Sequence, residues 1–411
     1  VSTLKELVAG QFADYLKDLE TITNIDSGTG DAEGSAKIAD FLKQRLEEAG
    51  GKVEFRNNTR GTHVISRFKG TGTRRILMIA HTDTVFPKGE VQKRPFHFDE
   101  QTMKAYGPGV GDDKATVVQT LYIMKALQKL QYDKYGEIML YYNAEEETGS
   151  KTSSDIIIEL AKQADLVIIM DTARPNWGIV TRRKGSAKYE VKVEGIAGHA
   201  GNVPYRTASA TMELGNQITQ LFSLASTLPR DPLSLTPDRL QEQGIMDYGQ
   251  FIPENTINVG MIGTTNQKIN VIPDNAFAKF EVRSYKMSEL ERLDREIKAL
   301  AEKSLVPGTK VKISGKISMG PMEKTPQVQQ LVNTYKEVVQ REYYAQVVEW
   351  VAGGITDGNL AARYAPTIDA LGVENGKEHT PDEYADLKTV GPRTVALVAF
   401  IQQISEQQTN H

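Results

Sequence analysis

Cysteine is absent from the 411 residues. This removes thiolate metal sites, cysteine nucleophiles and disulfides, and leaves imidazoles and carboxylates as the strong metal donors. Positive charge is not in excess: the net charge of −4 argues against the basic footprint of a nucleic-acid binder. No apolar run approaches the roughly 20 residues that span a bilayer, so no membrane partner is expected. Internal repeats and low-complexity tracts are lacking too. What remains, 39% hydrophobic and 25% charged residues, is the composition of a soluble globular protein with length for two or three domains. The start at Val1 fits removal of a targeting segment, and periplasmic, secreted and cytoplasmic locations all stay open.

The stretch that organises the chain is Ala80-His81-Thr82-Asp83, which closes the apolar run Ile76-Leu77-Met78-Ile79. A run this short reads as a buried strand, and in open α/β sheets ligands collect where such strands end. There a His can bind a metal while an Asp two residues on fixes its tautomer. Further carboxylates follow at similar places. The Gly-rich loop 106–111 leads into Asp112-Asp113, the run 138–142 ends at Glu145-Glu146-Glu147, and the run 166–170 ends at Asp171. The Gly-rich loop lacks both the dinucleotide and the P-loop spacing.

Helical spacing of apolar residues is expected over 4–20, over a second helix capped by Ser35 and ending at Gly50-Gly51, and over a long helix through Val117 and Leu130. From about 186 the pattern becomes β-α-β-β-α-β, the order of a ferredoxin-like module. Residues 227–254 read as an insertion loop within it. The fold class is therefore α/β. A mixed-sheet catalytic domain (1–185 and 314–411) carries an inserted α+β lid (186–313).

Collected, the chemistry-bearing candidates are His81, Asp83, Asp112, Glu146, Glu147, Asp171 and His379. Two imidazoles and three carboxylates suit two divalent ions that share one carboxylate. Such a pair, about 3.5–4 Å apart, polarises a carbonyl and acidifies a water. Adjacent Glu146 and Glu147 can divide the roles of base and ligand. A binding protein that kept the fold but lost catalysis would lack one of these groups, and all seven are present.

In order and spacing the chain resembles the co-catalytic zinc metallopeptidase family of glutamate carboxypeptidase, aminoacylase, acetylornithine deacetylase and succinyl-diaminopimelate desuccinylase. The matching segments are Ala80-His81-Thr82-Asp83, Gly107-Pro108-Gly109 through Asp112-Asp113-Lys114, Glu145-Glu146-Glu147, Gly198-His199-Ala200-Gly201, Gly353-Gly354 through Asn359, and His379-Thr380-Pro381-Asp382-Glu383. The resemblance implies two Zn2+ per chain, with Co2+ or Mn2+ as other possible ions. His81 and Asp171 would hold one ion, Glu147 and His379 the other, and Asp112 would bridge them across a cis Asp112–Asp113 peptide. Glu146 would be the general base and Asp83 would orient His81. The resemblance also implies that His199 stabilises the oxyanion of a neighbouring subunit, in a homodimer formed through the lid. His63, His97 and His411 match nothing and are expected to be structural or exposed.

The segments 353–359 and 372–384 look most like the glutamate carboxypeptidase branch, acting on small peptides or N-acyl amino acids. Arg283, with Asn270 and Thr356, is the candidate anchor for a substrate carboxylate, because a guanidinium fork suits one. Two features depart from that branch. Asp171 stands where it usually has Glu, and Met319-Gly320-Pro321 lacks an expected arginine. Asp171 is more typical of the family's aminopeptidases and dipeptidases, so a di- or tripeptidase that recognises a free α-amine is the alternative.

Overall fold

The computed structural model describes residues 2–202, 204–224 and 253–407. Residues 227–252 of the expected insertion loop, and His411, lie outside the described residues. The chain divides into two compact units: Val1–Thr181 with Lys324–Trp350 and Ile355–His411, and Arg182–Glu323 with Val351–Gly354.

Among the described residues of the first unit, six strands form a mixed sheet. Lys52–Asn58, Gly61–Lys69 and Glu137–Asn143 run antiparallel in turn, and Glu137–Asn143, Arg75–His81, Leu166–Ile169 and Thr367–Ile368 continue in parallel. The central strands are apolar without alternation because both faces are covered. Ile76, Met78, Leu140 and Ile168 join one core with the helices Ala32–Glu48, Ala115–Lys129 and Val390–Glu406. Leu77, Ile79, Met139 and Val167 join another core against Ser154–Ala161 and Asp357–Ala361. In register His81 lies opposite Asn143 and Ile79 opposite Ile169, so three parallel strands finish side by side.

Two local expectations are corrected. The helical pattern over 4–20 is two helices, Ser2–Gly10 and Phe12–Thr23, broken at Gln11. The next helix, Ala32–Glu48, is capped by Asp31, whose carboxylate accepts the Gly34 N–H at 3.0 Å. Ser35 sits inside that helix, and its hydroxyl accepts the Thr62 N–H instead. Asp31 presents its carboxylate to the first turn, where the free N–H groups lie.

In the second unit the strands stand in the order Asn255–Gly263, Asn275–Ser284, Gly185–Glu194, Lys310–Met319, all antiparallel. The helices Ala210–Leu224 and Met287–Ala299 pack their buried Leu214, Leu221, Leu290 and Ile297 with Val191, Ala278 and Val282. The boundary drawn at 313/314 from the sequence falls inside the strand Lys310–Met319, which pairs with Gly185–Glu194 over its whole length. Cutting there would leave half a strand without its ladder, so the inserted unit extends to Glu323. No helix among the described residues is long and apolar enough to cross a membrane.

Candidate metal centre and active site

The three parallel strand ends deliver the side chains of the site. His81 is buried at the last position of its strand. Its Nε2 lies 2.9 Å from Asp112 Oδ1, and 3.9 Å from both Glu146 Oε2 and Asp171 Oδ1. The other oxygen of Asp112 lies 2.9 Å from His379 Nε2, which is 3.4 Å from Glu147 Oε2. One carboxylate therefore spans two imidazoles that come from opposite ends of the chain. The turn that presents it needs Gly109: φ is 71°, and a Cβ would sit 2.3 Å from Thr84 Cγ2. The Asp112–Asp113 peptide is cis.

Asp83 works from behind. Its Oδ1 lies 3.3 Å from His81 Nδ1 and accepts the Glu146 N–H at 3.1 Å, while Oδ2 accepts the Glu147 N–H at 3.1 Å. The Thr29 hydroxyl also donates to Asp83. The far ring nitrogen of His81 is hydrogen-bonded to the Asp83 backbone carbonyl at 3.0 Å, and the carboxylate of the same residue positions the two glutamates. Under the strand end, buried His63 accepts the Ala144 N–H through Nδ1, a supporting role. His97 is exposed and stacks on Tyr106.

Two groups of donor atoms lie within 4.8 Å of one another: His81, Asp112 and Glu147, and His81, Asp113 and Asp171. Asp113 was not among the sequence candidates. Its Oδ2 accepts the His81 N–H, and no pattern in the sequence distinguishes it from Asp112. Asp357 was also missed. It is buried and accepts bonds from Asn143 Nδ2 and the Ser150 hydroxyl, which fixes the loop carrying the glutamates. The only signal for it was its place between the glycines at 353–354 and Gly358.

The electrostatics are those of crowded carboxylates. Burial pushes Glu146 well above the ordinary glutamate range against the pull of His81, and it pushes Glu147 up to about 8. Burial and then the charge of Asp112 raise Asp171 to about 6. Burial favours a neutral His81, but the bonds to Asp112 and Asp83 outweigh it and push its pKa well above the usual value. The bond to Asp112 lifts His379 to about 9. Glu147 Oε1 and Asp113 Oδ1 are buried with no hydrogen-bond partner among the described residues. Carboxylate oxygens left over in this way, beside two imidazoles and with no thiolate, form a donor set that fits two hard-to-borderline divalent cations.

The model of peptidase family M20/M25/M40 matches residues 77–403. The chain belongs to this family. Among relatives of the M20 chain, carboxypeptidase G2 of Pseudomonas sp. (strain RS-16) is 29% identical over 394 residues, 93% of this chain and 87% of that protein. The succinyl-diaminopimelate desuccinylase of Burkholderia vietnamiensis is 24% identical over 369 residues, 86% of this chain and 89% of that protein. Aminopeptidase PepT from Bacillus cereus shares the fold at a TM-score of 0.75 and 18% identity, covering 95% of this chain and 98% of its own. The M20 protein is a metal-dependent hydrolase that acts on amide bonds.

Four candidates are not among the donor residues of this cluster. His199, in the second unit, is exposed on the two-residue strand Gly198–His199, and its Nδ1 accepts the Gly201 N–H, which leaves the hydrogen on Nε2. Arg283, in the same unit, donates to the Gly353 carbonyl at 2.6 Å and to Glu281 at 2.7 Å. Asn270 is exposed and its carbonyl accepts the Ala200 N–H. Thr356 caps the helix Asp357–Ala361, accepting from Gly358 N and donating to Asp369.

Proposed function

We propose that this M20 hydrolase is a zinc-dependent exopeptidase that removes the C-terminal amino acid from small peptides or N-acyl amino acids, with a glutamate carboxypeptidase-like preference. The observation that carries the reading is Asp112 with one oxygen 2.9 Å from each imidazole, the disposition of a bridging ligand. In this reading His81 and Asp171 hold one ion, Glu147 and His379 the other, and Asp83 orients His81. Bound there, the pair would polarise the scissile carbonyl and acidify water. Glu146, half-buried with its carboxylate 3.9 Å from His81, takes a proton from the attacking water. As the water oxygen bonds to the carbonyl carbon and the C–N bond breaks, Glu146 returns that proton to the leaving nitrogen. His199, with its hydrogen on Nε2, donates to the oxyanion. Arg283 and Asn270 receive the terminal carboxylate, and Thr356 acts through the loop it caps.

The first unit is the catalytic body and the second the lid. Among the described residues Asn255–Gly263 is the edge strand of the second unit's sheet and exposes Met261 and Ile262, which supports a homodimer formed through it, with His199 acting across it. Asp171 favours a second reading, a di- or tripeptidase that takes a free α-amine. The zinc-loaded protein on N-benzoyl-glutamate and on a free-amine dipeptide ending in glutamate separates the two. The first reading requires preference for the acylated compound and the second the reverse, each abolished by chelator. Glu146→Gln tests the roles of the residues. Turnover falls by about 10²–10⁴ with two ions still bound, and loss of an ion instead would exchange Glu146 with Glu147.

A further inference from the structure

A cavity of about 420 Å³ lies in the first unit against the metal cluster, with Glu147 and Thr148 in its wall. The rest of the wall comes from the turn 28–31 and from the loop 84–88 that follows His81. This wall is fixed by the fold itself. Gly28 forms a bridge with Thr84, the Thr29 N–H donates to Thr84 O, and the Thr84 N–H donates to Ser27 O. A Cβ on Gly28 would stand 2.3 Å from Phe86 O, so the close approach of the two segments needs glycine. Beyond the loop, the Asp26 carboxylate accepts the N–H groups of Gly89 and Val91 at 2.8 and 3.0 Å. The polar side chains of the wall are engaged elsewhere. The Thr29 hydroxyl donates to Asp83, Asp31 caps its helix, and the Lys88 ammonium lies 2.8 Å from Glu33. Val85 in the same wall is 43% exposed. An exposed valine on its own means little, but one held in a rigid cavity wall that also carries a candidate metal ligand is placed to touch a ligand.

We propose, resting on the exopeptidase reading above, that this cavity receives the group on the carbonyl side of the scissile amide, that the group is a bulky apolar one such as an aromatic acyl, and that Val85 sets the preference. An amide at the metal cluster carries two flanking groups, and the reading above gives Arg283 and Asn270 to the leaving amino acid but no residue to the acyl part. A wall with Glu147 and Asp31, whose one lysine is paired with Glu33, does not suit the carboxylate of the leaving amino acid. The acyl part needs no charge, and burying its ring against Val85 and Pro87 supplies the attraction.

The test measures kcat/KM of the zinc-loaded full-length protein on two matched pairs: N-benzoyl-glutamate against N-acetyl-glutamate, and phenylalanyl-glutamate against glycyl-glutamate. The expected result is a preference of at least about tenfold for the bulky member in the wild type. Val85→Trp fills the cavity from its wall, and the preference should vanish or reverse while two ions stay bound and the melting curve stays cooperative. A smaller preference in the wild type, or one that persists in Val85→Trp, overturns the proposal. If Val85→Trp does not fold or does not hold its ions, Val85→Ser decides, with the preference narrowed at least about threefold. Hydrolysis of the dipeptides alone would strike the carboxypeptidase reading, and the ratio within the dipeptide pair then decides on the cavity by the same thresholds. Should none of the four turn over, their affinities measured by calorimetry take the place of the rates.

Discussion

Asp83 and Glu146 are joined through the backbone: the carboxylate of one accepts the N–H of the other at 3.1 Å, while its second oxygen takes the N–H of Glu147. One buried side chain thus sets both glutamates and stands 3.3 Å from the ring of His81, which the Asp83 backbone carbonyl also holds. Asp83→Asn turns an amide N–H toward one of these donors. The expected outcome is a loss of about 10–100-fold in metal affinity or turnover with the fold intact, read by chelator titration and steady-state rates.

Gly372 donates its N–H to the Asp171 carbonyl, and a Cβ there would lie 2.4 Å from that oxygen and 2.3 Å from Thr116 Oγ1. Gly372→Ala must displace the Asp171 backbone. Stepwise metal titration is expected to show one ion weakened and the other retained. Equal weakening of both would mean that Asp171 belongs to neither ion alone.

Away from the site, buried Asp18 is held by the Arg45 guanidinium at 3.0–3.2 Å and by the Tyr122 hydroxyl at 2.7 Å. Arg45→Ala leaves that carboxylate buried with one partner. Arg45 is itself partly exposed, so urea unfolding should show a loss of about 1–3 kcal/mol. Adding Asp18→Asn should return part of it.

Burial raises Glu349, but the bonds from Lys324 and Lys336, each at 2.5 Å, outweigh it and hold the carboxyl below its ordinary value of 4.5. A folded-state pKa below the unfolded one gives stability that is fully present above 4.5 and is lost as the pH falls through the folded value. Thermal melts should therefore show the gap between wild type and Glu349→Gln narrowing on acidification below 4.5 and constant above it.

The sequence made the strand ends legible because unbroken apolar runs such as Ile76–Ile79 occur where both faces of a sheet are covered. The inserted unit was legible because its strands, half-exposed, alternate. Asp113 was not, since adjacent carboxylates on an irregular turn give no period from which to tell which one faces inward. The break at Gln11 was hidden because apolar spacing continues across it, and Asp31 lost to Ser35 because both are good caps within one turn. The edge of the second unit was misplaced by chain distance alone, since a strand's last residues belong to whichever sheet completes their ladder.

His81, Asp112, Glu147 and Asp171 all precede the inserted unit in the chain, while Asp357, His379 and the strand Thr367–Ile368 follow it. During synthesis, then, the carboxylate-rich half of the centre leaves the ribosome long before its second imidazole. The inserted unit has all but its Val351–Gly354 segment by Glu323 and can fold in that interval. The two-imidazole centre can close only after residue 379 has emerged, so its assembly waits on a segment made after the inserted unit.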